Sequence, residues 1–310
     1  MSPWAYPIIF LGSLVLSLTL VRLSIHLSYR LDHLDRPDGE RKLQEQAIPK
    51  MGGVAVAIAF SIVIVAATAL LRDRISATML LGVMIPGVAM AALGFVDDRR
   101  HLSPWLRLAL QFLFAGVAWM AGTQVDLVSS DVINAVIMTL WVVAIVNAIN
   151  MLDNSDGLAG ATTLVAAAST AVIAMSLGQY LVASLAWGLS GVAAGFLWHN
   201  WYPARVYLGD AGSYFLGYML AILTIRLKPT ELSIEWAALV PLLLLALPIV
   251  DMAFVVTRRL VSGVHPFTAG RDHLSHALQS RGLSIPASVI VLQSLLLATC
   301  TAAVAIGILG

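Results

Sequence analysis

Ten runs of mostly apolar residues, separated by short polar stretches, leave this chain few ways to fold. They are Trp4–Leu23, Met51–Leu71, Met79–Val96, Trp105–Ala121, Val132–Val146, Leu158–Ser176, Tyr180–Trp198, Gly212–Leu227, Trp236–Val256 and Ile285–Ile308. A helix of about 20 such residues crosses a hydrocarbon core of roughly 30 Å; the third and fifth runs are short for it. The runs are continuous and lack the in-and-out alternation of lipid-facing strands, so helices, not a barrel, satisfy the backbone. Composition agrees. The chain is 59% hydrophobic and 11% charged, against roughly 45–50% and about 25% in soluble domains. So few charges cannot cover a soluble globule. The expected fold class is all-α, a polytopic membrane helix bundle of about ten transmembrane helices forming one integral membrane domain over residues 1–310. The first run has no basic stretch before it and no small-residue cleavage site after it, so it reads as a retained span.

Lys and Arg set the expected orientation. The loops after odd-numbered runs hold Arg30, Arg36, Arg41, Lys42, Lys50, Arg99, Arg100, Arg107, Arg205, Arg258, Arg259, Arg271 and Arg281, thirteen in all. The other side holds four, Arg72, Arg74, Arg226 and Lys228. That bias places both termini outside and the odd-numbered loops in the cytoplasm of a multi-pass protein of the plasma (inner) membrane. A net charge of +1 with no basic tail gives no nucleic-acid footprint. Cys300 stands alone inside the last run and offers neither a disulfide framework nor a thiolate site. The tryptophans gather near the ends of the runs, as an aromatic belt does.

The acids fall mainly on the side labelled cytoplasmic. Asp97 and Asp98 close the third run, Asp153 and Asp156 follow the fifth, Asp210 precedes the eighth, and Asp272 lies with His273 and His276 in the last loop of that side. A carboxylate at mid-bilayer costs at least ~2.5–3.5 kcal/mol, and a place at a helix end avoids most of that. Hard oxygen ligands of this kind suit Mg²⁺, or Mn²⁺, with phosphate oxygens completing the shell. Helical neighbours point about 100° apart, so Asp97 and Asp98 are expected to serve different partners. Asn147, Asn150, Asp153 and Asp156 recur every third residue. That series drifts around a straight α-helix, so the helix is expected to end near Leu152, with Asn154–Gly157 as a turn. Gly157 and Gly160 would let backbone approach a ligand closely. Gly209–Gly212 reads as an anion-accepting helix N-terminus, Asp210 would cap that helix, and Lys50, Arg205 and Arg271 are candidate phosphate holders. His273 and His276 share a face if helical. Asp251 lies inside the ninth run, a functional candidate or half of a structural ion pair.

These motifs resemble the polyprenyl-phosphate N-acetylhexosamine-1-phosphate transferase family, which includes N-acetylglucosamine-1-phosphate transferases and the phospho-N-acetylmuramoyl-pentapeptide transferase. The similarity runs from about Arg36 to His276. It is carried by Arg41-Lys42 and Ile48–Gly53, Phe95–Asp98, Asn147–Gly157, His199–Pro203, Leu208–Ser213, Leu247–Asp251 and Asp272–His276. Two stretches depart from it. Gln44 stands where many members have histidine, and Ser275 interrupts what is elsewhere a pair or run of histidines, which argues against the muramoyl-pentapeptide branch. Asp153-Asn-Ser-Asp-Gly157 is also closer to less-characterised members.

The resemblance implies transfer of HexNAc-1-phosphate, GlcNAc-1-phosphate by preference, from a UDP-sugar to undecaprenyl or decaprenyl phosphate. The products are polyprenyl-diphosphate-sugar and UMP, the first membrane step of a cell-envelope glycan. It implies a catalytic set of Asp97, Asp98, His273 and His276, with Asp97 facing the lipid phosphate. It implies a substrate-binding set of Lys50, Asn147, Asn150, Asp153, Asp156, Gly157, Asn200 and Arg271, and Mg²⁺ on Asp210 and Asp156. Family members often dimerise. An ion-coupled secondary transporter is the competing class; it would place acids near the midplane, often in repeated halves.

Overall fold

The computed structural model describes residues 4–37, 46–70, 77–228, 232–268 and 270–309. Arg41, Lys42, Gln44, Arg72 and Arg74 lie outside the described residues. Helix α1 (Ala5–Arg30) leads into a two-stranded antiparallel ribbon, β1 (Leu34–Asp35) and β2 (Ile48–Pro49). Then come α2 (Gly52–Leu70), α3 (Ala77–Arg100), α4 (Pro104–Met120), α5 (Asp131–Leu152), α6 (Leu158–Ser176), α7 (Tyr180–Asn200) and α8 (Gly209–Ile225). The chain finishes with α9 (Ile234–Leu244), α10 (Ala246–Val261), the short α11 (Leu274–Gln279) and α12 (Ile285–Leu309). Six helices are long and apolar enough to cross a membrane, and the bent pair α9–α10 makes a seventh such unit. This is a polytopic helical membrane protein.

Nine of the ten apolar runs coincide with single helices. The ninth does not: α9 and α10 meet at 76°. Pro248 gives the reason. It has no N–H to offer the Leu244 carbonyl four residues back, and its ring crowds that carbonyl, so the helix must stop there. Helix α5 ends at Leu152, as the three-residue spacing predicted, and Gly157 takes φ +79° before α6 begins.

Helix α8 is the central post, with nearly every residue from Gly209 to Thr224 buried. Its neighbours come close because the contact residues are small. A Cβ on Gly53 of α2 would stand 2.2 Å from the Gly212 Cα of α8. One on Gly94 of α3 would stand 2.1 Å from the Asp210 carbonyl oxygen. Helix α7 meets α1 in the same way, through Gly191 and Gly195 against the backbone of Phe10 and Leu14. Ser17 of α1 also donates to the Val192 carbonyl at 2.8 Å. Such interhelical bonds contribute about 0.6 kcal/mol each, so close packing of small residues holds the bundle.

Helix direction alternates, so one end of the bundle collects the C-termini of α1, α3, α5 and α7 with the N-termini of α2, α4, α6 and α8. Lys50 N–H to the His33 carbonyl and Gly157 N–H to Asn200 are among the bonds across that end. At the opposite end Arg226 donates to Gly122 and Thr123, and Lys228 pairs with Asp126. The expected acid-bearing loops therefore meet on one face.

Candidate active site

The site is built around the start of α8. Residues Pro49–Gly53 run beside Tyr207 and Leu208: Tyr207 N–H donates to the Pro49 carbonyl at 2.8 Å, Gly52 N–H to Tyr207 at 3.1 Å and Gly53 N–H to Leu208 at 2.9 Å. This lays Lys50 against the helix end. Asp98, reaching over from α3, accepts the N–H of Asp210 at 3.1 Å and of Ala211 at 3.3 Å, while Lys50 Nζ sits 2.6 Å from its Oδ1. The Asp98 side chain is fully buried. Taking a carboxylate out of water costs several kcal/mol, which Lys50, two backbone donors and the positive helix end offset together. Burial alone would depress the Lys50 ammonium, but the Asp98 charge beside it raises its pKa above the ordinary value.

Two expectations change here. Asp210 does not cap α8; it lies inside the first turn, and Asp98 caps the helix from another element. The helix N-terminus is also no open anion seat, because Asp98 already occupies the N–H groups of Asp210 and Ala211.

Around this core stand the residues of the α5–α6 turn. Asn150 donates to Asp210 Oδ1 at 2.8 Å and reaches Ser213 Oγ at 2.9 Å. Asp153 accepts no hydrogen bond among the described residues. Its burial, then the negative charge of Asp210, with Asp98 and Asp156 behind, push its carboxyl well above the usual range; Lys50 alone pulls it down. Asp156 turns elsewhere and accepts the Ala204 N–H at 2.9 Å; burial raises its pKa and this bond opposes the rise. The carboxylate that shares the electrostatic field of Asp210 is therefore Asp153, where Asp156 was the expected partner.

Other expected pocket residues serve as braces. Asn200 is buried, accepts the Gly157 N–H at 3.0 Å and donates to the Val206 carbonyl at 2.9 Å, locking the turn to the α7–α8 loop. Gly157 is needed for its positive φ, and a Cβ there would also lie 3.0 Å from the Trp201 ring. Asn147 points to α4 and donates to Gln111 at 2.7 Å, away from the acids. Asp97, expected to face a lipid phosphate, is buried among three donors: Leu102 N–H at 2.8 Å, the Tyr214 hydroxyl at 2.9 Å and Arg107 Nη1 at 3.0 Å. It joins α3, α4 and α8. Asp97 and Asp98 do serve different partners, as their 100° separation required.

A second polar group hangs from α10, whose buried face carries Leu247, Pro248, Asp251, Val255 and Arg259. Arg259 grips Asp272 with Nε and Nη2 at 2.7 and 2.8 Å and donates to the Pro266 carbonyl. That grip holds the Asp272 carboxyl below the usual range. Asp251 pairs with His273, whose Nδ1 stands 2.8 Å from Oδ2, and also accepts the Leu274 N–H at 2.8 Å. Ser275 donates to Asn154 at 2.5 Å, seating α11 on the α5–α6 turn. The His276 ring lies 5.6 Å from that of His273. Burial, then the charges of His273 and Arg271, pull its pKa down to about 4, so it is neutral at pH 7 and no cation for a phosphate. Arg271 is exposed. The Arg259–Asp272 and Asn154–Ser275 contacts were missed in the sequence. The eight-residue spacing of Asp251 and Arg259, two helical turns, was the one available signal for the first.

The donor set fits a hard divalent cation. Among the described residues no three His, Cys, Asp or Glu side chains form a protein cage. Mg²⁺ needs none, since it takes one or two carboxylates and completes its shell with water and phosphate. Asp210 and Asp153, crowded by like charge, are the carboxylates that such an ion would relieve.

Fold and site together define an integral membrane protein with an oxygen-rich polar centre at the helix ends. Residues 79–228 match the family described as Glycosyl transferase family 4. A probable undecaprenyl-phosphate N-acetylglucosaminyl 1-phosphate transferase of Bacillus subtilis is 28% identical over 91% of this chain and 80% of its own. The decaprenyl-phosphate N-acetylglucosaminephosphotransferase of Mycolicibacterium smegmatis is 30% identical, over 82% and 70%. A phospho-N-acetylmuramoyl-pentapeptide-transferase of Streptococcus equi is 29% identical, over 66% and 65%. The chain belongs to glycosyl transferase family 4.

Proposed function

We propose that this protein transfers HexNAc-1-phosphate, GlcNAc-1-phosphate by preference, from a UDP-sugar to polyprenyl phosphate, releasing UMP. The observation that carries this reading is the meeting of Lys50, Asp98, Asn150, Asp153 and Asp210 at one end of the bundle. An oxygen of the lipid phosphate attacks the sugar-bearing phosphorus, the bond to the bridging oxygen breaks, and UMP leaves with that oxygen. Both reactants are anionic, so positioning and charge compensation carry most of the catalysis.

Asp210 and Asp153 would hold Mg²⁺ or Mn²⁺, which supplies neutralisation of the diphosphate. Lys50, fixed by Asp98, gives a cation beside the same centre. Asn150 sets the rotamer of Asp210. His273, paired with Asp251 through Nδ1, would donate Nε2–H to a phosphate oxygen. No strong general base is required: a phosphate monoester with a second pKa near 6 is already roughly 90% dianionic at pH 7. The three donors around Asp97 favour that view, with Asp97 acting through charge organisation.

In this reading residues 1–310 form one domain of ten spans in the plasma membrane, both termini lie outside, and the acid-bearing end faces the cytoplasm, where UDP-sugars are. The test is UMP release by purified protein given Mg²⁺, undecaprenyl or decaprenyl phosphate and a panel of UDP-HexNAc donors. Release is expected from UDP-GlcNAc and lost by at least 100-fold in Asp210→Asn and Asp153→Asn. Absence of UMP from every donor would overturn the proposal and favour a transporter.

A further inference from the structure

We propose that Asp251 is a positioning residue for the transfer reaction: it orients His273 and balances the charge of its doubly protonated ring, so that Nε2–H donates to a phosphate oxygen of the substrates. This rests on the transferase reading above and adds to it a residue that the motifs left without a role.

Asp251 is buried, 1% exposed, on the second turn of α10. A carboxylate inside a membrane protein needs partners, and both of its oxygens find them on consecutive residues of one segment. Oδ2 takes His273 Nδ1 and Oδ1 takes the Leu274 N–H, each at 2.8 Å. Among the described residues no Lys or Arg pairs with it. Its hydrogen-bonding capacity is therefore directed at one imidazole and the backbone beside it.

A carboxylate only accepts, so Nδ1 of His273 must carry a proton; a phosphate oxygen also only accepts, so Nε2 meets it as a donor when the ring is doubly protonated, a cation that Asp251 balances. Nε2 has no hydrogen-bond partner among the described residues. The ring also has little room to turn, being 5% exposed with His276 packed edge-on against it. The segment is anchored independently on both sides. Arg259 holds Asp272, and Asn154 holds Ser275 from the turn that carries Asp153 and Asp156. With the backbone secured twice already, what Asp251 adds is control of the ring itself.

This separates a positioning role from a merely structural one. An asparagine at 251 keeps the shape and can still accept the Leu274 N–H. Its amide would then donate to Nδ1, so the ring could hold a proton on Nε2 alone and could not become the doubly protonated cation. Loss of a carboxylate that orients a working histidine commonly lowers activity 10- to 100-fold or more.

The experiment is a double-mutant cycle on kcat for UMP release at saturating Mg²⁺, with melting temperatures recorded alongside. Asp251→Asn and His273→Ala are each expected to lower kcat tenfold or more. The double variant should be no slower than His273→Ala, because Asp251 acts only through that ring. Multiplicative losses in the double variant would sink the proposal. If Asp251→Asn does not fold, His273→Asn carries the test: its amide can keep the bond to Asp251 but has no counterpart to Nε2. It should melt like the wild type and lose kcat as His273→Ala does; a wild-type kcat would overturn the proposal. A wild-type enzyme that releases no UMP marks failure of the transferase reading itself, whereas active wild type with an additive cycle refutes Asp251 alone.

Discussion

Asp97 and Asp98 are adjacent in sequence, both bury their side chains, and they differ in the donors that surround them. Asp97 faces Arg107 and the Tyr214 hydroxyl inside the protein, so Asp97→Asn leaves a partly buried guanidinium without its counter-charge. Removing one partner of a fully buried pair costs about 3–5 kcal/mol. Arg107 keeps 28% of its side-chain exposure, so a smaller loss, on the order of 1–3 kcal/mol, is expected from thermal unfolding, together with reduced turnover. Asp210→Asn should behave in the opposite way without Mg²⁺. It removes a like charge from beside Asp98 and Asp153, so the melting temperature should hold or rise while activity disappears. His276 gives a pH prediction. It is neutral in both folded and unfolded chain above the ordinary value of 6.5, and folded protein resists protonation until about 4. As pH falls through that window the unfolded chain binds the proton and the folded chain does not, so stability drops. His276→Asn should lose less melting temperature between pH 7.5 and pH 5 than the wild type does.

At the scale of elements, the cluster depends on backbones touching. Gly94 lets α3 lie directly on the first turn of α8, and that approach carries the Asp98 carboxylate to the Asp210 and Ala211 N–H groups. A methyl at 94 would meet the Asp210 carbonyl oxygen at 2.1 Å, a backbone atom that cannot swing aside. Gly94→Ala should therefore part the two helices and lower UMP release at least 100-fold. Gly116→Ala, with nothing within 4 Å of the added methyl, should leave it unchanged. The break between α9 and α10 works at the same scale. Freed from the line of α9, α10 turns Asp251 and Arg259 toward the loop that ends in α11, and both clamp it.

For the whole molecule, alternating helix direction gathers residues distant in the chain at one end. Which side of the membrane that end faces is testable with an impermeant maleimide on spheroplasts, since native Cys300 is buried. Val128→Cys, in the α4–α5 loop, should be labelled from outside, and Ser280→Cys, beside α11, only after lysis. The reverse pattern would invert the proposed orientation. The sequence by itself determined the helices, their approximate ends, the stop at Leu152 and the end of the bundle that holds the acids. Those properties are local: apolar length, proline and glycine chemistry and charge bias act within a few turns of chain. Only the tertiary structure decided which carboxylate meets which donor. Spacing gives a side chain's height along its helix, but its direction has meaning only once neighbouring helices are placed. So Asp153, not Asp156, came to share the field of Asp210, Asn147 and Asn200 became braces, and Asp251 found a histidine in a segment more than twenty residues away.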